Sequence, residues 1–105
     1  MALQPTSQTG AILSSYGNVV VSGSVPVLVL AANPHRQEMR FINYSTSPDC
    51  FLGMDTSVTT TNGWPLFAGA EQDSDRGFGS MYLGAVYAVN NGSGNSDLRV
   101  WEGCR

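Results

Sequence analysis

The side chains that most often perform chemistry in proteins are scarce in this chain of 105 residues. There is one histidine, His35, and the two cysteines, Cys50 and Cys104, do not combine with it in any zinc-binding spacing. All five Lys or Arg positions are arginines, so neither a lysine Schiff base nor a lysine-containing phosphate loop can form. No Gly-x-Ser-x-Gly segment marks a serine nucleophile. The sequence therefore predicts a protein without enzymatic activity, cofactor or metal centre.

One acidic segment, Glu71 to Gly77, offers a candidate for cation binding. Asp73 and Asp75 stand two residues apart and could both face a hard cation such as Ca²⁺. The remaining acidic positions of a calcium-binding loop are absent, and no pair of carboxylates is recognisable as the acid and base of a glycosidase. We therefore expect a solvated turn in which Arg76 screens the two carboxylates.

Ten aromatic residues form the other chemically informative set. Aromatic rings can stack on sugars or bases, but more of them fill a core or a subunit interface. We expect most of the ten to be packed, and we single out Trp64 and Trp101 as the two best able to stack on a glycan. The ten are Tyr16, Phe41, Tyr44, Phe51, Trp64, Phe67, Phe78, Tyr82, Tyr87 and Trp101.

The elements that must position these residues are predicted to be short strands. Apolar residues occur in short pulses separated by Gly, Ser, Thr, Asn and Pro, which is typical of a sandwich or barrel. The chain length allows one domain. We predict an all-β fold, a small β-sandwich or jelly-roll-like barrel of about seven to eight short strands. The pulses are Val19 to Val21, Val25 to Leu30, Met39 to Tyr44, Cys50 to Met54, Trp64 to Phe67, Met81 to Val89 and Leu98 to Trp101.

Two of these strands are predicted in more detail. The segment Met81 to Val89 is apolar on both faces, as in a central strand of a sheet. In the last strand Leu98 and Val100 alternate with Arg99 and Trp101. That strand should bury its aliphatic face and present an arginine and an aromatic ring on the other.

The turns and the amino-terminal segment complete the predicted organisation. Asn62-Gly63 and Asn91-Gly92 are expected to supply the positive φ angles of tight hairpins. Residues 1–16 are polar with few apolar anchors, and we predict an extended N-terminal arm there. Residues 17–105 then form the single β-sandwich domain.

Charge and hydropathy exclude several classes of partner. The net charge is −3 and charged residues make up 12%, so phosphate-mediated binding of nucleic acid is not expected. No apolar run reaches the ~18–20 residues of a transmembrane helix, and the first residues do not have the pattern of a signal peptide. We therefore expect no membrane partner and two reduced thiols, with one disulfide as the less favoured alternative.

Seven segments between about residues 26 and 103 carry a resemblance to a known family. They are Val29 to Arg36, Phe41 to Ser45, Cys50 to Gly53, Thr60 to Leu66, Ala68 to Glu71, Leu83 to Val89 and Leu98 to Glu102. In this order they resemble the strands and turns of small all-β virion accessory proteins of tailed bacteriophages. Many members of that family are capsid decoration, or cement, proteins.

The resemblance implies a non-enzymatic protein of the capsid exterior, assembled in the cytoplasm of the bacterial host. Such a protein binds across the seams between major capsid protein subunits and stabilises the mature head. A homotrimer is expected, because three weak footholds combine through their effective concentration. The alternatives are a virion-surface carbohydrate-binding module, with a host glycan as its partner, and a structural component of the tail or head fibre.

Three sets of candidate site residues follow from this interpretation. The arm is expected to contact the capsid through its apolar residues, Leu3, Pro5, Ile12, Leu13 and Tyr16. Self-association is assigned to Tyr82, Arg99 and Trp101. Glycan stacking, if present, is assigned to Trp64 and Trp101, with Tyr82 as a further candidate.

Overall fold

Most strands form where the apolar pulses occur, and turn residues separate them. The computed structural model describes residues 13–75, 82–92 and 94–104, and within these ranges it contains eight strands and no helix. The strands are β1 (Leu13–Ser22), β2 (Val27–Leu30), β3 (Arg36–Asn43), β4 (Cys50–Gly53), β5 (Trp64–Leu66), β6 (Glu71–Asp75), β7 (Val86–Asn90) and β8 (Asn95–Cys104).

The strands pair in a nested order. The first pairs with the eighth, the second with the seventh, the third with the sixth and the fourth with the fifth, all antiparallel. The chain is thus one long hairpin, which is rolled up by two further antiparallel pairs, β3 with β8 and β4 with β7. Two four-stranded sheets result, with the orders β1-β8-β3-β6 (the first sheet) and β2-β7-β4-β5 (the second sheet). This is a jelly-roll β-sandwich, and the predicted fold class is confirmed.

The core lies between the two sheets, and alternation along the strands fills it. In β8, Leu98 and Val100 are buried while Arg99 is exposed, as the sequence pattern predicts. In β3 the buried Phe41 follows the exposed Arg40. Both sheets contribute side chains to the core cluster. Its buried members are Val21, Val29, Met39, Phe41, Cys50, Leu52, Leu66, Val86, Ala88, Leu98 and Val100.

Arg36, the first residue of β3, is a fully buried cation with four acceptors. Its Nε donates to Glu102 Oε2 at 2.7 Å. Its Nη1 donates to the carbonyl oxygens of Tyr82 and Gly84 at 2.8 and 3.0 Å, and its Nη2 donates to that of Ala31 at 2.8 Å. A buried charge is tolerated only when it is paired and hydrogen-bonded, and Arg36 meets both conditions. Its four contacts also hold three separate segments of the chain around one guanidinium.

The same contacts correct one predicted strand. The sequence predicts a strand over Met81 to Val89, but β7 begins only at Val86. The carbonyls of Tyr82 and Gly84 bond to the Arg36 side chain, so they are not used in a strand ladder. The predicted central position is correct, since β7 lies between β2 and β4 in the second sheet.

The acidic segment is a strand, and the prediction of a solvated turn there is wrong for Glu71 to Asp75. These residues form β6, which pairs with β3 from Ile42↔Glu71 to Glu38↔Asp75. Backbone hydrogen bonds to β3 hold this edge strand in the sheet, and they do not depend on the types of its side chains. The signal of alternating apolar residues, from which strands are predicted, is therefore missing at this edge.

The two predicted Asn-Gly turns have different outcomes. Gly92 has a φ of 89°, as expected for a tight turn that only glycine enters easily. Gly63 does not have a positive φ. A Cβ at Gly63 would lie 2.8 Å from Phe51 Cβ and 2.9 Å from the Thr59 carbonyl oxygen, so close packing is what requires glycine there.

Strand β1 begins within the predicted arm. Leu13 pairs with Cys104 and Tyr16 pairs with Trp101, so residues 13–16 belong to the first sheet. The boundary of the sandwich therefore lies before residue 17. Residues 1–12 are outside the described ranges.

A buried amide joins the two turns that flank β1 and β7. Asn90 Nδ2 donates to the carbonyls of Val21 and Gly94 at 2.7 and 2.9 Å. Its Oδ1 accepts from the backbone N–H groups of Gly23 and Gly92, both at 2.8 Å. Every hydrogen-bonding group of this side chain has a partner, so the amide holds the β1–β2 and β7–β8 turns together.

Candidate functional site

The outer face of the first sheet carries a row of functional side chains that crosses all four strands. Tyr16 of β1 is in register with Trp101 of β8. Trp101 is in register with Arg40 of β3, which in turn faces Asp73 of β6. Directly opposite residues in a sheet lie on the same face within side-chain contact. The row thus places two aromatic rings, a guanidinium and a carboxylate side by side.

The rings and the guanidinium of this row are in contact. The ring centroids of Tyr16 and Trp101 are 6.4 Å apart, with the planes inclined by 38°. The Arg40 guanidinium carbon lies 5.3 Å from the Trp101 ring centroid, within cation–π range. Arg40 Nε is also 4.0 Å from Asp73 Oδ1. Trp101 is therefore flanked on both sides and partly buried, whereas Tyr16 is 79% exposed.

A second row lies beside the first. Asn18 of β1 is in register with Arg99 of β8. Arg99 is in register with Ile42 of β3, and Ile42 with Glu71 of β6. This row adds an amide, a second guanidinium and a second carboxylate to the same face.

The guanidinium of the second row is held in place by its neighbours. Arg99 Nε and Nη2 donate to the two carboxylate oxygens of Asp97, each at 2.9 Å, and Asn18 Nδ2 also donates to Asp97. The Arg99 guanidinium carbon lies 4.8 Å from the Tyr44 ring centroid. The hydrogen bond from Arg99 lowers the pKa of Asp97, and the same bond raises the pKa of Arg99. Both groups are charged at neutral pH in a fixed, two-point geometry.

Between these rows the sheet forms an open trough of about 770 Å³. This volume lies within the range of small-molecule sites, roughly 300–1,000 Å³. The lining residues come from all four strands of the first sheet. They are Tyr16, Gly17, Asn18, Arg40, Phe41, Ile42, Glu71, Asp73, Arg99, Val100 and Trp101.

A smaller and more apolar slot of about 280 Å³ is lined by residues of both sheets. Trp64 is 61% exposed there, and its indole Nε1 donates to Gln72 Oε1 at 3.2 Å. Tyr82 also lines the slot, and its hydroxyl donates to the Ala85 carbonyl at 2.6 Å. The other lining residues are Met39, Phe41, Leu52, Gly53, Met54 and Val86.

The predicted residue sets are divided between these two places. Arg99 and Trp101 line the trough together, whereas Tyr82 lines the slot. Trp64 lines the slot, whereas Trp101 lines the trough. The alternation in β8 predicted the outward position of Arg99 and Trp101, but it contained no information about the position of Tyr82.

The residues assigned to the arm have one described side chain among them. Tyr16 is exposed in β1 and starts the first row of the trough. Leu13 is the first residue of β1. The other three assigned residues, Leu3, Pro5 and Ile12, lie outside the described ranges.

The described ranges contain neither a metal-binding cluster nor a membrane-spanning helix. No group of three His, Cys, Asp or Glu side chains there could hold a metal ion. Burial raises the pKa of the Cys50 thiol. No helix in these ranges is long and apolar enough to cross a membrane.

Four polar contributors to the trough were missed from the sequence: Asn18, Arg40, and Glu71 and Asp73 as strand residues. Arg40 stands between the apolar residues Met39 and Phe41, which is a signal for an outward position. Its neighbours across the sheet cannot be found in that way, because they depend on the register of strands far apart in the chain.

No protein-family model matches the chain, and no curated protein matches its sequence. The resemblance to phage virion proteins therefore stays a prediction.

Proposed function

We propose that this chain is a non-enzymatic decoration protein of a tailed-bacteriophage head. It binds the major capsid protein on the outside of the particle, spans a seam between subunits and stabilises the mature shell. Three copies surround each site. The observation that carries the proposal is the open edge of β1, because this edge is suited to receiving a strand from another protein.

Strand β1 is an edge strand without the usual protection. It is ten residues long, it contains no proline and no charged residue, and its pairing with β8 has no register shift. In the described part of the chain it has a neighbouring strand on one side only. Long, regular, uncharged edges are templates for strand addition by another chain.

The other three edges of the sandwich are protected by recognised devices. Strand β5 is three residues long and contains Pro65. Strand β6 carries three carboxylates, at Glu71, Asp73 and Asp75. Strand β2 has four residues and a register shift. Since proteins avoid edge-to-edge aggregation by such means, the contrast supports a partner for β1.

The chain before β1 adds to the proposed contact. Residues 1–12 precede this edge strand, and fully extended they span at most about 40 Å. A segment of that reach extends the contact beyond the sandwich, and area and shape complementarity rather than catalytic groups determine such binding. The predicted capsid contacts of Leu3, Pro5 and Ile12 belong to this part of the proposal.

The location is tested by a cryo-electron microscopy reconstruction of the purified virion. We expect density for the sandwich outside the shell over the seams between capsid subunits, in groups of three, with the β1 edge facing the shell. Density confined to the tail or to the tips of head fibres would refute the proposal and favour the alternative structural role.

The edge itself is tested by binding of the purified protein to expanded heads that lack it. Val20→Lys places a charge on β1 at a side chain that is 55% exposed, and it should weaken binding because a charged edge resists strand addition. Val25→Lys is the matched control, since Val25 is 75% exposed and lies outside β1. Equal binding of the two variants would refute docking through this edge. Removal of residues 1–12 tests the additional contact separately.

A further inference from the structure

We infer that the trough on the outer face of the first sheet binds a short, uncharged oligosaccharide, because it sets an exposed tyrosine beside a tryptophan, two arginines and two carboxylates. This site lies on the outer face of the first sheet, whereas the proposed capsid contact uses the backbone edge of β1. Tyr16 and Asn18 belong to β1 and so lie next to both, and the two proposals are tested by different experiments. The sequence offered Trp64 and Trp101 as stacking residues. Within the trough, the most exposed ring is that of Tyr16.

The aromatic part of the site is an asymmetric platform. The ring of Tyr16 is 79% exposed, whereas Trp101 is held between Tyr16 and Arg40. The C–H groups on one face of a sugar ring pack on the electron-rich face of an aromatic ring. Tyr16 therefore provides the stacking surface, and Trp101 forms a fixed wall beside it.

The polar part of the site matches hydroxyl groups, which both donate and accept hydrogen bonds. Asp73 and Glu71 accept, Arg40 donates, and the amide of Asn18 can do both. The side chain of Arg99 is already positioned by Asp97, so it loses little freedom on binding. A few convergent polar groups around an apolar surface are the usual composition of a specific small-ligand site.

The charges of the lining favour an uncharged ligand. Arg40 and Arg99 are balanced by Glu71 and Asp73 within the trough, and Asp97 adds a further negative charge next to it. A polyanion would gain little from two guanidiniums that already face carboxylates. A polyol can bond to both signs of charge, so this surface suits it best.

A second copy of the chain fits the trough less well. Interface cores between proteins are depleted of charged residues, whereas both rows of this face contain charged groups at their centres and edges. A concave surface also leaves a void when it faces its own copy in a twofold arrangement. Four adjacent strands span about 14 Å, a length that accommodates a short oligosaccharide lying across the sheet.

The test is affinity electrophoresis followed by calorimetry, with the full chain and a panel of neutral oligosaccharides: maltohexaose, cellohexaose, laminarihexaose and chitohexaose. We expect saturable binding to at least one of them. Tyr16→Ala should weaken that binding about tenfold, because one stacking contact is lost. Asp73→Asn, at a side chain that is 51% exposed, should also weaken it without disturbing the fold.

Two matched controls remove exposed aromatic rings elsewhere. Phe67→Ala and Trp64→Ala change side chains that are 58% and 61% exposed and do not line the trough. Both should bind as the original protein does. The inference is overturned if no oligosaccharide of the panel binds, if Tyr16→Ala and Asp73→Asn leave binding unchanged, or if Trp64→Ala alone abolishes it. It is also overturned if sedimentation shows oligomers that Tyr16→Ala converts to monomers, since the face would then be a protein interface.

Discussion

The buried guanidinium of Arg36 makes a strong prediction about stability. Arg36→Met keeps an unbranched side chain of similar length in the site but removes every donor. Glu102, whose side chain is only 12% exposed, then loses its counter-charge. The carbonyls of Tyr82, Gly84 and Ala31 lose their donors at the same time.

The magnitude follows from these contacts. Removing one partner of a buried ion pair costs about 3–5 kcal/mol. Each of the three part-buried carbonyls that lose a donor adds about 1 kcal/mol to the loss. The expected decrease in the free energy of unfolding is therefore about 6–8 kcal/mol, which is comparable with the whole stability of a small domain. Arg36→Lys keeps the charge but not the planar set of donors, and it should lose about half as much.

The assay is urea unfolding followed by tryptophan fluorescence, with linear extrapolation to water. Arg40→Met is the matched control, because the Arg40 side chain is 60% exposed and the expected change is within about 0.5 kcal/mol. The double variant Arg36→Met/Glu102→Leu removes the stranded carboxylate and should recover part of the loss. A decrease below about 1 kcal/mol for Arg36→Met, or a double variant no more stable than the single one, would refute the reasoning.

Three further predictions concern polar and titratable groups. Asn90→Asp removes both amide donors and introduces a charge at a residue that is 1% exposed. Urea unfolding should show that the free energy of unfolding falls by about 3 kcal/mol. A decrease smaller than about 0.5 kcal/mol, the usual effect of a surface change, would contradict the role of this amide. Arg99 lowers the pKa of Asp97, so the stabilisation from this pair is present above about pH 4 and is lost as the pH falls through the lowered pKa. Asp97→Asn should therefore reduce the loss of stability on acidification, measured as the free energy of unfolding at a series of pH values. An unchanged pH dependence would contradict this prediction. Cys50 is buried with a raised pKa, so in a Cys104→Ser background a thiol reagent should react only as the protein unfolds, and immediate reaction of the folded protein would contradict its burial.

Fold class was predictable because strands with one buried face leave a clear pattern. The alternation of Leu98 and Val100 with Arg99 and Trp101 gave the two faces of β8 correctly. Strand β6 left no such pattern, because its pairing with β3 requires only backbone groups. The early part of the segment Met81 to Val89 has the apolar composition of a strand but does not form one before Val86. Composition does not reveal that the carbonyls of Tyr82 and Gly84 accept hydrogen bonds from Arg36.

The candidate site was only partly predictable. A single strand shows which side chains point outward, so Trp101 could be placed on an outer face. Its neighbours Tyr16 and Arg40 come from β1 and β3, and their register with β8 is set by the rolled hairpin as a whole. The trough is therefore a property of long-range pairing, which no short segment of the sequence contains.

The nested pairing of the strands also determines the order in which the molecule can be completed. Leu52 and Trp64, which pair between β4 and β5, are close in sequence, whereas Leu13 and Cys104 are separated by almost the whole described chain. The entropy cost of closing a loop rises with its length, and folds dominated by distant pairs form in milliseconds to seconds. During synthesis β1 leaves the ribosome first but its partner β8 leaves last. The first row of the trough and the paired, ordered form of the β1 edge therefore arise together, only after β8 has been made. A partially synthesised chain has neither surface.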